Sequence, residues 1–333
     1  MTMRVGVIGL AGVGKTHLQY FRALDGVEIP AVADVVGDVA RTFAQKYGAK
    51  AYTDGVAMMD GEKLDAVTIG TPPKYHAALT IAAAQRGLHV LCEKPMAPTL
   101  ADCDAMIEAT RKAGVTLMIG FKKRYSPAYS FLKDKEAEWG QPRIALCRYQ
   151  LGPVAKSWFW DEADGGGPLV ENTAHCFDVL RYLMGEPKTV YAETSNHFTK
   201  TGPGAAYDVA EAVFTIRFQS GATAAVAAGA AGVWAYDASE RLSFSYDGAI
   251  AEVFGRFDRP ATMRLMDRTA TDVTVKSWFD DPSGFSGQFA AFVECVQGKA
   301  TPRATGLDGM RALQLSLAVK QSGRTSKPVD IEL

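Results

Sequence analysis

Through the first 120 residues, short apolar runs rich in Val, Ile and Ala alternate with stretches whose apolar residues recur every three or four positions. The runs Arg4–Ile8, Glu28–Ala33, Ala66–Ile69, His89–Leu91 and Thr116–Ile119 read as strands, and Thr16–Leu24, Val39–Tyr47, Tyr75–Arg86 and Leu100–Ala113 as the helices between them. Gly48, Gly87 and Gly114 stand where such helices would end. Strand and helix in alternation predict a doubly wound parallel sheet, an α/β domain over residues 1–122. Beyond it the rhythm changes. From Ile144 to Leu151, and again from Thr189 to Val275, strand-like runs follow one another with turns such as Gln219-Ser220-Gly221 and Tyr246-Asp247-Gly248. That pattern predicts a large, mostly antiparallel sheet in an α+β domain over residues 123–333. One helix, Leu169–Met184, interrupts it after Gly165-Gly166-Gly167-Pro168 and stops at Gly185; helical stretches at Gly287–Val296 and Leu307–Gln321 close the chain.

The first strand runs into Gly9-Leu10-Ala11-Gly12-Val13-Gly14-Lys15-Thr16, which satisfies two patterns at once. As G-x-x-x-x-G-K-[ST] it is a P-loop, with Lys15 on the terminal phosphates and Thr16 on magnesium. As G-x-A-x-x-G it is a dinucleotide turn on Gly9, Ala11 and Gly14, with alanine at the second glycine position and Gly12 and Val13 within the loop. The second strand ends in Asp34, 20 residues after Gly14, where a dinucleotide fold puts the carboxylate that binds the adenosine ribose. Val35, Val36, Gly37 and Asp38 follow, with no cation to receive a 2′-phosphate, so NAD is expected in preference to NADP. Thr71-Pro72-Pro73-Lys74-Tyr75-His76 and Cys92-Glu93-Lys94-Pro95 fall at carboxyl ends of later strands, the edge at which open α/β sheets bind ligands.

Composition narrows the partners. A chain of 333 residues has the length of about two domains. Lys+Arg of 36 against Asp+Glu of 37 leaves a net charge of −1, no footprint for nucleic acid or an anionic membrane. Five scattered cysteines without C-x-x-C spacing argue against a disulfide framework and a thiolate zinc site, and no metal is expected. The apolar run Val5–Gly14 is too short to span a bilayer, so a soluble, cytoplasmic protein is expected.

With Gly9, Ala11, Gly14, His17, Asp34, Thr71-Pro72-Pro73, His76 and Glu93-Lys94-Pro95 in this order, the chain resembles the glucose–fructose oxidoreductase / inositol 2-dehydrogenase (Gfo/Idh/MocA) family. The likeness continues through Gly120-Phe121-Lys122-Lys123-Arg124-Tyr125, through Gly165-Gly166-Gly167 with Glu171, His175 and Asp178, and through Gln288, Phe292, Gly298 and Pro302. Ala11 departs from the family's usual glycine, Lys122 from an asparagine or methionine, and Glu171 from an aspartate. The resemblance implies a Rossmann domain that binds NAD, and hydride transfer to or from a secondary alcohol of a sugar, polyol or cyclitol. It implies cofactor contacts from Gly9, Ala11, Gly12, Val13, Gly14, Asp34, Thr71, Pro72, His76, Glu93 and Lys94, with His17 also near the cofactor. It further implies a last helix packed back between the domains and a homo-oligomer, dimer or tetramer, built on the open face of the second sheet, where Ala222–Ala231 suits a covered surface.

On a helix, Glu171, His175 and Asp178 at i, i+4 and i+7 share one face. Under the resemblance His175 is assigned as the general acid/base, Lys94 as the cation that steadies charge on the substrate oxygen, and Glu171 as an orienting carboxylate. The aromatic stretch Ser157-Trp158-Phe159-Trp160-Asp161 offers flat faces to a sugar ring, with Asp161, Asn172 and Arg124 for its hydroxyls. The same residues also have plain structural readings: tryptophans packed under a loop, His175 satisfied by Asp178, and Glu171 as a charge near a helix N-terminus. Two other functions stay open at this point, a non-catalytic dinucleotide-binding regulator and a P-loop phosphotransferase.

Overall fold

The computed structural model describes residues 2–152, 154, 156–196, 210–230, 232, 240–255 and 261–332; parts of the expected strand region, and Ala231 of the run Ala222–Ala231, lie outside these. The chain divides into two compact units, Met1–Phe121 with Phe285–Met310, and Lys122–Gly284 with Arg311–Leu333. The first division falls beside the boundary expected after residue 122; the grouping of Phe285–Met310 with the N-terminal unit is one that chain order does not reveal.

In the first unit, strands β1 (Met3–Ile8), β2 (Val27–Glu28), β3 (Ala31–Ala33), β4 (Lys50–Tyr52), β5 (Ala66–Ile69), β6 (His89–Cys92) and β7 (Leu117–Ile119) form one sheet. Its order is β4-β3-β1-β5-β6-β7 with β2 beside β1, and every pair is parallel. Helices α1 (Val13–Arg22), α2 (Gly37–Tyr47), α3 (Gly55–Gly61), α4 (His76–Gln85) and α5 (Leu100–Ala113) make the crossovers. Val5, Val7, Val32, Val67, Val90 and Leu91 are fully buried, as strands covered on both faces require. The order reverses between β1 and β5, so the loops leaving those two strands border the crevice where such sheets bind ligands.

The expected strand Glu28–Ala33 is broken. Its two pieces both pair with β1, Met3 with Val27 and Val7 with Val32, and between them Pro30 has no N–H to give to a ladder. The elements β4 and α3 were not anticipated: Lys50–Tyr52 is too short to show a period and owes its conformation to its ladder with Ala31–Ala33.

The second unit opens with helices α6 (Pro127–Asp134) and α7 (Glu136–Trp139), and contains α8 (Glu162–Gly165) and α9 (Pro168–Met184). Its strands are β8 (Ile144–Gln150), β9 (Pro187–Ser195), β10 (Glu211–Phe218), β11 (Thr223–Gly229), β12 (Glu240–Ser245), β13 (Ala249–Phe254), β14 (Ala261–Asp267) and β15 (Thr274–Trp278). After α10 (Phe285–Val296) and α11 (Gly306–Thr325), β16 (Val329–Asp330) completes a nine-stranded sheet, β15-β14-β13-β12-β8-β11-β10-β9-β16. Among the described residues of this sheet, only the β8/β11 pair is parallel. Side chains alternate across it: Ala145, Cys147 and Tyr149 of β8 are buried while Ile144 and Leu146 are exposed. Helix α9 covers the inner face, with Phe177 against Phe214 at 5.5 Å between ring centroids.

Candidate active site

In the first unit the chain leaves β1 and turns through Gly9, at φ 82°, to Gly12, which precedes α1 at φ 65° and ψ −120°. Both are left-handed conformations that L side chains rarely adopt. Gly14 is required for another reason: a Cβ there would lie 1.6 Å from the Gly9 carbonyl oxygen, so only glycine lets the helix start directly against the strand. Helix α1 is already running at Val13 and carries Lys15 exposed within it. This is the tight turn of a dinucleotide fold. A P-loop instead keeps the residues between its glycines out of the helix, so that their amides wrap a phosphate.

Helix α1 has no side-chain cap, and Ala11 and Gly12 are exposed, leaving its first amides for an anion. At the end of β3, Asp34 accepts from Leu10 N at 2.8 Å through one carboxylate oxygen and from Val36 N at 2.9 Å through the other. The carboxylate is thereby fixed beside the turn. At the end of β5 the Thr71 hydroxyl is buried and has no hydrogen-bond partner among the described residues. An amide-lined turn, a fixed carboxylate and an orphaned hydroxyl at the sheet's switch point fit NAD.

Three residues expected near the cofactor are enclosed in the interior. His76 is fully buried, its Nε2 2.8 Å from Thr71 O and its Nδ1 3.1 Å from Pro95 O and 3.3 Å from Met96 O. It ties the Thr71 loop to the segment after Lys94, and burial holds its pKa below the ordinary histidine value against the opposing pull of the carbonyls and of Glu93. His17 is equally buried, with Thr68 Oγ1 2.6 Å from Nδ1 and Glu93 Oε1 2.8 Å from Nε2. Glu93 is therefore an interior carboxylate, and its other oxygen accepts from Lys94 N at 3.1 Å. The spacing of Gly14, His17, Leu18 and Phe21 places His17 on the buried face of α1, a signal present in the sequence. Lys94 itself is half-buried just beyond the carboxyl end of β6, before a cis peptide bond to Pro95.

In the second unit α9 carries Glu171, half-buried, with Asn172, His175 and Asp178 buried. The Asn172 amide nitrogen and the Thr173 hydroxyl are buried with no hydrogen-bond partner among the described residues. Asp178 holds Arg124: both carboxylate oxygens lie 3.0 Å from its Nε and one lies 2.6 Å from Nη2, while Tyr182 lies under the guanidinium at 5.0 Å. Arg124, expected at substrate hydroxyls, is thus engaged in a bidentate ion pair that anchors α9. Trp160 is a packing residue, its indole N–H donating to Val154 O at 2.8 Å and its ring edge-to-face with Phe159 at 5.1 Å. Trp158 is half-buried, with the Lys156 ammonium 5.8 Å above its ring. Asp161, expected to meet a sugar hydroxyl, caps α8 by accepting from Ala163 N at 2.8 Å and Asp164 N at 3.3 Å.

Ion pairs that the sequence does not announce hold this region. Lys320 of α11, fully buried, donates to Glu162 and lies 3.4 Å from Gly166 O, fixing the glycine turn before α9. Lys123 pairs with Glu240 between the rings of Tyr129 and Tyr149. Among the described residues no group of three or more His, Cys, Asp or Glu gathers as a metal site, and no helix is long and apolar enough to cross a membrane.

The family model described as an oxidoreductase family with an NAD-binding Rossmann fold matches residues 3–121, and that of the GFO/IDH/MocA C-terminal domain matches residues 135–245. The myo-inositol 2-dehydrogenase of Thermotoga maritima is 31% identical over 344 residues, covering 99% of each chain. The D-glucoside 3-dehydrogenase of Escherichia coli is 28% identical, covering 99% of this chain and 97% of its own. The crystal structure of aldose-aldose oxidoreductase from Caulobacter crescentus, complexed with glycerol, superposes with a TM-score of 0.87 at 25% identity, covering 99% of this chain and 100% of that one.

Proposed function

The chain is an NAD-binding oxidoreductase of the GFO/IDH/MocA family, and from that membership we propose that it oxidises a secondary alcohol of a sugar, polyol or inositol-like cyclitol, or reduces the matching ketone. The observation that carries the reading is α9, where His175 and Glu171 share a face and the neighbouring Asn172 amide nitrogen is buried without a hydrogen-bond partner among the described residues. An unpaired buried donor is costly, and a ligand rich in hydroxyl oxygens relieves that cost.

Bound NAD supplies the hydride acceptor. Gly9, Ala11, Gly12, Val13 and Gly14 hold its pyrophosphate, Asp34 its ribose, and Thr71 and Pro72 border it at the switch point. His175 takes the proton from the reacting hydroxyl in oxidation and returns it in reduction, a role worth about 10²–10⁴-fold in rate. The Lys94 ammonium donates to the reacting oxygen as negative charge develops there, an effect on the order of 3 kcal/mol in comparable sites. Glu171 orients the substrate, Asn172 donates to one of its hydroxyls, and the exposed part of Trp158 covers a ring face. Two further points belong to the same reading. Copies of the chain associate through the outer face of the nine-stranded sheet, and the five free, buried cysteines suit the reducing cytoplasm.

The test is turnover of NAD with myo-inositol, scyllo-inositol and D-glucosides, followed by NADH absorbance. Lys94→Ala and His175→Ala are each expected to lower kcat by about a hundredfold or more, with NADH affinity by fluorescence titration held within about threefold. Undiminished turnover in either variant overturns the assignment of that residue.

A further inference from the structure

We infer that His17 is a positioning residue for Lys94, acting through Glu93; the inference rests on the role proposed above for Lys94. The His17 ring is enclosed on the inner face of α1, met edge-on by Phe289 at 4.9 Å between centroids. It lies between Thr68 of β5 at 2.6 Å and Glu93, just beyond β6, at 2.8 Å. An ionised carboxylate only accepts, so Nε2 carries the proton toward Glu93, and with a neutral ring Nδ1 accepts from the Thr68 hydroxyl. The second Glu93 oxygen accepts the backbone N–H of Lys94 at 3.1 Å.

The carboxylate is therefore divided. One oxygen is held by the helix that opens on the glycine turn, and the other holds the amide of the lysine. Glu93 is also fixed along the sheet, its N–H donating to Ile69 O at 3.0 Å. Room for its carboxylate exists because residue 120 is glycine, where a Cβ would lie 2.7 Å from Oε1. Chain, ring and carboxylate together leave the origin of the Lys94 side chain little freedom.

Stability alone is a poor account of this arrangement. A buried, hydrogen-bonded polar pair contributes little over apolar side chains of the same shape. What it does supply is one defined geometry, which a lysine that must meet developing charge requires. The same link joins the first helix of the dinucleotide cradle to the strand end that carries Lys94, so the two keep a common register.

The experiment compares wild type, His17→Leu, His17→Gln and Thr68→Val in two ways. The first labels the protein without cofactor or substrate with acetic anhydride across a pH series and reads Lys94 reactivity against the other lysines by mass spectrometry. The second measures kcat with NAD and myo-inositol, and NADH affinity. His17→Leu is expected to shift the relative reactivity of Lys94 by about threefold or more and to lower kcat about tenfold, with NADH affinity within about threefold. His17→Gln, whose amide can still donate to Glu93, is expected to restore most of both. A purely structural His17 would lower the melting temperature and leave the Lys94 labelling profile unchanged, and that result overturns the inference. If His17→Leu does not fold, Thr68→Val decides, since an unchanged Lys94 profile there refutes the link equally. Failure of the underlying reading looks different: Lys94→Ala would retain turnover while the labelling shift persisted.

Discussion

Individual residues in this chain were legible where a role followed from a place at a strand end, and less so where it depended on which atoms the fold packs around the side chain. Asp34 stands beside the glycine turn, as its place at a strand end foretold. His76 stands at the end of its motif too, yet its ring faces three backbone carbonyls inside the protein. Burial lowers its pKa from the ordinary 6.5, so below that pH the unfolded chain takes up a proton that the folded chain resists. The resulting stability is complete above 6.5 and is lost as pH falls toward the lower folded value; His89, also lowered mainly by burial, acts in the same direction. The wild-type melting temperature is expected to fall by a few degrees between about pH 7 and pH 5, and His76→Gln to fall by visibly less. Parallel melting curves for the two proteins across that range would remove His76 as the cause.

Among elements, those with a long period were read to within about four residues at either end. The expected helix Leu169–Met184 is observed as Pro168–Met184, and Leu100–Ala113 is reproduced. The short elements β4 and α3 escaped because three to seven residues carry no usable period and their conformation is set by the neighbouring strand. The junction of β1 and α1 shows how a single atom governs an element. Gly14→Ala would drive a methyl group into the Gly9 carbonyl, and α1 must move off the strand to admit it. Overpacking of this kind costs about 1–3 kcal/mol, so we expect a melting temperature lower by several degrees and at least about tenfold weaker NADH binding. Gly248→Ala, where a Cβ meets open space, serves as the control and is expected to change neither. Unaltered NADH binding by Gly14→Ala would mean that the turn does not hold the dinucleotide.

For the whole molecule, the pairing registers place Met266, Ile250 and Ile144 in one row across the nine-stranded sheet, with Leu146 on the same face one step along. All four are exposed in the single chain, as is Val213. An exposed apolar surface of this kind marks an interaction site, and the proposed occupant is a second copy. Light scattering on the wild type is expected to give an oligomer, and Leu146→Asp, which sets a carboxylate in the middle of that face, a monomer that still binds NADH. A monomeric wild type would refute the assembly. By itself the sequence determined the two periodicities, hence an α/β half and a mostly antiparallel half, together with the glycine turn and the residues offered for chemistry; all of these are encoded by neighbours a few positions apart. Only the tertiary structure decided that Arg124 belongs to Asp178, His17 to Glu93 and Lys320 to Glu162, and that Phe285–Met310 groups with the N-terminal unit. Those partners are 54, 76 and 158 residues apart, and a buried polar or charged group takes whichever complementary group the packed fold brings within hydrogen-bond reach, a choice that local spacing does not record.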